Sequence, residues 1–179
     1  MNVRPTHTLL VILMLSLLAA CSSNPAKKPS KSISKSSSLY LQLEQTPLPK
    51  RLPIPVQGIS REQLVDTWGN ARSQGRTHEG IDIMAKRGTP ILSATDGFIS
   101  KITSYGGGGN AITVVGYALS QHYYAHMDRF GSLKVGDPVK VGDVLGYVGS
   151  TGNATTPHLH YGIYLYPNRV ATNPYAYLR

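Results

Sequence analysis

The chain has 179 residues, one cysteine, 18 basic and 9 acidic residues, and a formal net charge of +9. That length holds one ordinary domain with extensions and not comfortably two. A single cysteine rules out a disulfide framework, and the positive charge lacks the aromatic-interleaved basic patch that would point to nucleic acid.

Residues 1–8 are polar with one positive charge, Arg4, and residues 9–20 form a 12-residue apolar run broken only by Ser16. A charged start, a short apolar core and small residues at its end form a secretory signal, and the core falls short of the roughly 17–25 residues that span a bilayer. Leu18-Ala19-Ala20-Cys21 resembles the lipobox of bacterial lipoproteins. By that resemblance Cys21 is the lipidated first residue of the mature chain. Acylation would also account for a lone thiol in an exported protein, where even counts are the rule. Ser22 in the next position resembles lipoproteins sorted to an outer membrane. The plainer alternative is an ordinary signal cleavage with Cys21 incidental.

Residues 22–38 are Ser, Lys, Pro, Asn and Ala with Ile33 as the one large apolar side chain. Such a composition cannot bury enough surface to offset its ordering entropy. Pro47, Pro49, Pro53 and Pro55 then break up the approach to the fold, with Leu52 and Ile54 available to pack onto it. The expected organisation is a signal peptide at 1–20, a lipid-anchor site and disordered basic tether at 21–55, and one domain at 56–179. Lys27, Lys28, Lys31, Lys35, Lys50 and Arg51 concentrate positive charge on the tether. Attraction to anionic lipid or cell-wall polymer explains this charge, and so does simple solubility of a linker.

From residue 56 onward the pattern is mainly β. Ser60-Arg61-Glu62-Gln63 has the S-x-x-Q form of a capping box and predicts one short helix at the domain start. Short Ile/Val/Thr/Tyr runs follow at 90–93, 98–105, 111–115, 122–127, 139–141, 144–148 and 158–165, separated by Asp96-Gly97, Gly136-Asp137, Gly142-Asp143 and Gly152-Asn153. Many short strands with glycine turns predict an antiparallel sheet, partly closed as a barrel or sandwich. The run Gly106-Gly107-Gly108-Gly109 precedes no helix, so it is expected to be a flexible loop and not a phosphate cradle.

Three segments carry the chemistry: His78-Glu79-Gly80-Ile81-Asp82, Tyr124-Ala125-His126 and His158-Leu159-His160. Each alone has an ordinary reading as packed or surface strand, yet four of the six histidines fall in these three segments. Residues two apart in a strand face the same way, so His158 and His160 can address one site while Leu159 points to the core. His78 and Asp82 share a face but would lie about 13 Å apart if fully extended, so the chain must bend between them, with Gly80 placed to allow it. Two imidazoles and a carboxylate make a catalytic zinc site and suit Zn2+ better than magnesium or calcium. The H-E-x-x-H motif is absent, which leaves Glu79 as a solvent-facing residue. His122 would share the face of Tyr124 and His126, too far along the strand for a direct role.

The stretch from about Trp68 to Leu178 resembles the lysostaphin/LytM-type zinc endopeptidases. The resemblance rests on His78-x-Gly80-Ile81-Asp82, Gly88-Thr89-Pro90, Asp96-Gly97, Tyr124-Ala125-His126, Gly136-Asp137-x-Val139, Gly142, Gly149-Ser150-Thr151-Gly152-Asn153, Pro157-His158-Leu159-His160 and Asn173-Pro174. It implies a β-sheet fold with a groove walled by loops. It also implies one Zn2+ per chain held by His78, Asp82 and His160, with His126 and His158 as catalytic histidines beside it. The implied substrate is a peptide bridge or stem of peptidoglycan. The further expectations are a monomer anchored by lipid to the cell envelope, facing the periplasm from the outer membrane, with no nucleic-acid partner.

Two positions depart from the pattern: Tyr161-Gly162 follows His160 where the family commonly has Phe-Glu. Some relatives have lost zinc ligands and activate cell-wall amidases without catalysis. Such a regulator would show erosion among the five site positions, and all five are intact here.

Overall fold

The computed structural model describes residues 35–179. The expected signal sequence, Cys21 and the first part of the expected tether lie outside the described residues. The described chain starts with helix α1 (Lys35–Gln45). Nine strands follow: β1 (Ile81–Met84), β2 (Pro90–Leu92), β3 (Gly97–Ser104), β4 (Asn110–Val115), β5 (Gln121–Phe130), β6 (Pro138–Val139), β7 (Val144–Val148), β8 (His158–Leu165) and β9 (Val170–Thr172), and a short α2 (Tyr175–Leu178) ends the chain.

All nine strands join one open antiparallel sheet, whose main path runs β1-β8-β5-β4-β3-β6, with β9 on β8 and β2 on β7. β5 is the hinge of this arrangement. Its first half pairs with β8, from Gln121↔Tyr164 to Ala125↔His160, and its second half pairs with β7. The fold is therefore mainly β, as the strand pattern implies. The core gathers on one face of the sheet, where Ile81, Ile83, Ile112, Tyr124, Leu159, Tyr161 and Ile163 are buried. On β8 the alternation behaves as expected: Leu159 and Tyr161 point inward, which turns His158 and His160 to the opposite face. The capping-box segment forms only a single 3-10 turn, Arg61–Gln63, in which the Gln63 side chain accepts from the Ser60 N–H at 2.8 Å.

The boundary expected at residue 56 falls inside the packed unit. Residues 35–45, assigned to a disordered tether, form α1, which lies against the 3-10 turn Tyr117–Leu119. Leu43 and Leu52 are buried, and Leu48 and Ile54 pack onto the same core. Backbone bonds fasten this segment, with Ala118 N–H donating to the Thr46 carbonyl and Leu52 N–H to the Tyr177 carbonyl, both at 2.8 Å. The helix has no acidic first turn and no basic last turn. Charge–dipole support at its ends is therefore missing, and the tertiary packing of Leu43 supports it instead.

Candidate metal centre and cleft

The first ligand strand is positioned by register. β8 lies between β1 and β5, so Asp82 stands opposite His160, and His160 stands opposite Ala125. His78 precedes β1, and the chain bends at Gly80, as the spacing requires, so that His78 Nε2 comes within 3.1 Å of Asp82 Oδ1. Glycine is needed at position 80 for proximity: a Cβ there would sit 2.7 Å from His160 Cε1 and 2.7 Å from the Tyr161 carbonyl oxygen. Glu79 is exposed at the rim.

His78 Nε2, Asp82 Oδ1 and His160 Nδ1 converge. The two imidazole nitrogens are 2.8 Å apart, and His160 Nδ1 is 3.2 Å from Asp82 Oδ1. A tetrahedral metal with ligands at 2.0–2.1 Å has ligand–ligand edges of about 3.3 Å, close to these separations. The donor set agrees. His78 Nδ1 faces the Thr67 carbonyl at 2.7 Å and must carry the proton donated to it. The Nε2 lone pair of His78 then faces Asp82 Oδ1 and His160 Nδ1 together, an arrangement that a shared cation satisfies and that the Nδ1–H of His160 can otherwise bridge. Two imidazoles and one carboxylate suit zinc, so the residues fit the metal. Thr67 also accepts from the Asp82 N–H through its Oγ1 at 3.0 Å, holding both ligands from one residue.

His126 reaches the cleft by breaking strand alternation. Ile112 pairs with Tyr124 and Asn110 with Met127, which leaves one extra residue on β5. His126 takes φ +64° at this bulge. A left-handed conformation is costly for a non-glycine residue, and here it re-aims the side chain. His122 and Tyr124 stay in the core while His126 joins Tyr123 and Ala125 on the cleft side. The expectation that His122, Tyr124 and His126 share a face is thus corrected, because a bulge shifts the parity between Tyr124 and Met127.

His126 Nδ1 bonds the Thr151 carbonyl and His158 Nδ1 the Thr156 carbonyl, both at 2.8 Å. Both rings consequently present Nε2 away from these carbonyls. The two rings lie 4.8 Å apart between centroids, and His158 Nε2 is 3.6 Å from Asp82 Oδ1. Burial lowers the His126 pKa to about 4, so its imidazole is neutral near pH 7. Burial by itself would raise the Asp82 carboxyl. Hydrogen bonds from His160, His78 and Arg72 outweigh it and hold Asp82 far below the usual carboxylate range.

All five sequence-predicted side chains line one cleft of about 800 Å3, whose walls include Arg72, Arg76, Gly107, Gly108, Tyr123, Asn153 and Tyr164. The second half of the expected flexible glycine loop, Gly108 and Gly109, packs as part of the cleft wall. A Cβ on Gly108 would lie 2.0 Å from Tyr123 Oη, and one on Gly152 would lie 2.3 Å from the Gly107 carbonyl. Gly107 accepts from Asn153 N–H, and Gly108 from His126 N–H, both at 2.9 Å. Gly109 and Gly152 there serve close backbone approach, while Gly108 makes room for the Tyr123 side chain.

The carbonyls of Thr67, Thr151 and Thr156, which orient three of the four site histidines, were not foreseen, since a main-chain oxygen leaves no trace in residue type. Tyr161 explains its own departure from the family pattern. Its hydroxyl lies 2.6 Å from His122 Nδ1, and His122 Nε2 lies 3.0 Å from Ser120 Oγ. Gly162 faces the Glu79 carbonyl, 3.2 Å from where its Cβ would be.

A cleft across an antiparallel sheet, with a His–Asp–His set and two further imidazoles oriented beside it, defines a metal-assisted hydrolase class of site. The profile of peptidase family M23 matches residues 76–174, more than half of the chain, and the chain belongs to that family. It is 37% identical over 109 residues to the glycyl-glycine endopeptidase ALE-1 of Staphylococcus capitis, covering 59% of this chain and 30% of that protein. It is 38% identical over 139 residues to the L-Ala–D-Glu endopeptidase of Bacillus subtilis, covering 71% of this chain and 42% of that protein. The catalytic domain of lysostaphin from Staphylococcus simulans superposes with a TM-score of 0.55 at 32% identity, covering 60% of this chain and 85% of that one. These curated relatives are longer, and the chain spans less than half the length of each.

Proposed function

We propose that the protein is a zinc-dependent endopeptidase that hydrolyses peptide bonds in the stems or cross-links of bacterial peptidoglycan. The observation that carries this reading is the convergence of His78, Asp82, His160, His126 and His158 in one cleft of a family M23 chain. His78, Asp82 and His160 would hold the metal, which supplies Lewis acidity to a peptide carbonyl and lowers the pKa of water. Neutral His126, its Nδ1 proton committed to Thr151, has an Nε2 lone pair able to accept a proton from water. His158, oriented in the same way by Thr156, is placed to hold or return a proton at its own Nε2. General acid–base assistance of this kind contributes roughly 10²–10⁴-fold. An amidase-activating regulator would not need these five side chains to be retained together.

The test is zinc content and peptidoglycan product analysis on the purified protein and its variants. His78→Ala, Asp82→Ala and His160→Ala should each lose zinc and hydrolysis together. His126→Ala and His158→Ala should keep most of the zinc and lose at least about 10²-fold in turnover. Zinc retained in His160→Ala and lost in His158→Ala would reverse the assignment of that pair.

Export and acylation at Cys21 would place the enzyme on the envelope, on the outer membrane facing the periplasm. Leu18-Ala19-Ala20-Cys21 and Ser22 support this reading. Cys21→Ser should yield an unacylated precursor or soluble form, and unchanged processing with membrane attachment would overturn the anchor.

A further inference from the structure

The two oxygens of Asp82 have different surroundings. Oδ1 faces the imidazoles of His78, His160 and His158, whereas Oδ2 accepts from Arg72 Nη2 at 2.5 Å. Arg72 is not free to wander. It belongs to a narrow hairpin that turns back on the ligand strand, in which Arg72 N–H donates to the Arg76 carbonyl at 2.9 Å and Ala71 bridges Thr77. The same stretch is clamped to His78, with His78 N–H donating to the Asn70 carbonyl and Gly69 N–H to the His78 carbonyl, both at 2.9 Å. One loop therefore fixes His78 and Asp82 together: Thr67 orients His78 and the Asp82 main chain, and Arg72 grips the Asp82 carboxylate from the far side.

We propose that Arg72 is a positioning residue for the metal centre, holding Asp82 Oδ2 so that Oδ1 is presented as a one-oxygen ligand to the site formed with His78 and His160. The inference rests on the zinc reading above. A carboxylate with one oxygen unheld can rotate about its terminal torsion, which is broad and two-fold, or offer both oxygens to a cation. A charge-assisted bond to the second oxygen removes that freedom. Partners of metal ligands typically account for 10–100-fold in metal affinity. Because the contact uses a single N–H donor, a lysine can reproduce much of it, although without the planar guanidinium.

The experiment is a competition titration of zinc against a chromophoric chelator, using the mature chain and its Arg72→Ala and Arg72→Lys variants, with thermal melts of the metal-free forms as a control. Arg72 is partly exposed and its side chain lies outside the core, so the metal-free variants should stay folded with melts lowered only modestly by loss of the Asp82 contact, and zinc affinities are compared well below those melts. Arg72→Ala should weaken zinc binding by about 10-fold or more, and Arg72→Lys should recover most of that loss because the contact uses one N–H donor. Three results would overturn the proposal. Unchanged zinc affinity with lost cleavage would place Arg72 against substrate instead. Tighter binding in Arg72→Ala would make the ion pair a latch that competes with the metal. A wild-type chain that takes up no zinc would remove the metal reading itself, and with it this one.

Discussion

His122 shows how one buried side chain can set an acid limit on the whole fold. It is fully buried, and its hydrogen bonds define its tautomer: Ser120 Oγ donates to the Tyr117 carbonyl, so His122 Nε2 donates to Ser120 and Nδ1 accepts from Tyr161. Burial depresses its pKa to about 3, against roughly 6.5 in the unfolded chain. Between these values the unfolded state binds the proton and the folded state does not. The contribution to stability is therefore complete above about pH 6.5 and is lost as the pH falls toward 3, by up to about 1.4 kcal/mol per pH unit. Burial lowers His126 in the same sense. His122→Gln keeps one acceptor and one donor in place without a titrating ring. Denaturant unfolding at pH 7, 6 and 5 should show a shallower loss of stability in His122→Gln than in the wild type. Equal slopes would mean that His122 titrates normally inside the fold.

At the scale of elements, the site depends on two loops that interlock through their backbones. Gly152 has φ +69° and no room for a methyl group, since its Cβ would meet the Gly107 carbonyl at 2.3 Å and Gly109 N at 2.5 Å. The displaced partners would be the segments that hold His126, through Gly108 to its N–H and through Thr151 to its ring. Gly152→Ala should destabilise the protein by about 1–3 kcal/mol and lower turnover at least tenfold, in keeping with the cost of a displaced catalytic group. Zinc should stay bound, because the ligand side chains stand on other elements. Measuring metal content and hydrolysis on the same preparation separates the two effects. Zinc loss in Gly152→Ala would show that this wall also supports the metal ligands.

For the whole molecule, the question is where the folded unit begins. Leu43 and Leu52 are 2% and 1% exposed, and losing a buried leucine side chain costs about 2–5 kcal/mol. A chain starting at residue 35 should melt, bind zinc and cleave isolated peptidoglycan like the mature form. A chain starting at residue 56 should melt at a distinctly lower temperature or fail to fold. Shortening residues 22–34 should impair wall processing in cells while leaving the purified enzyme unaffected. Lower activity in solution on deleting 22–34 would mean that these residues contribute to the fold or the cleft and are not only a tether.

The sequence by itself determined which residues are candidates for the site and their approximate layout. Residue types offered imidazoles and a carboxylate, the family resemblance singled out which of them form the candidate metal set, the period of two put His158 and His160 on one face with Leu159 inward, and glycine turns marked most strands. These are local properties, carried by side chains within a few residues of one another. Tertiary structure decided the rest. The register of β8 between β1 and β5 brings Asp82 to His160 across a long stretch of chain. A bulge, encoded in pairing and not in any residue type, turns His126 out of the face it would share with His122. Helix α1 exists because Leu43 finds a buried place, and a composition that reads as disordered cannot announce a distant partner. The carbonyls that set the histidine tautomers belong to the backbone, which is chemically the same at every position and is distinguished only by where folding puts it.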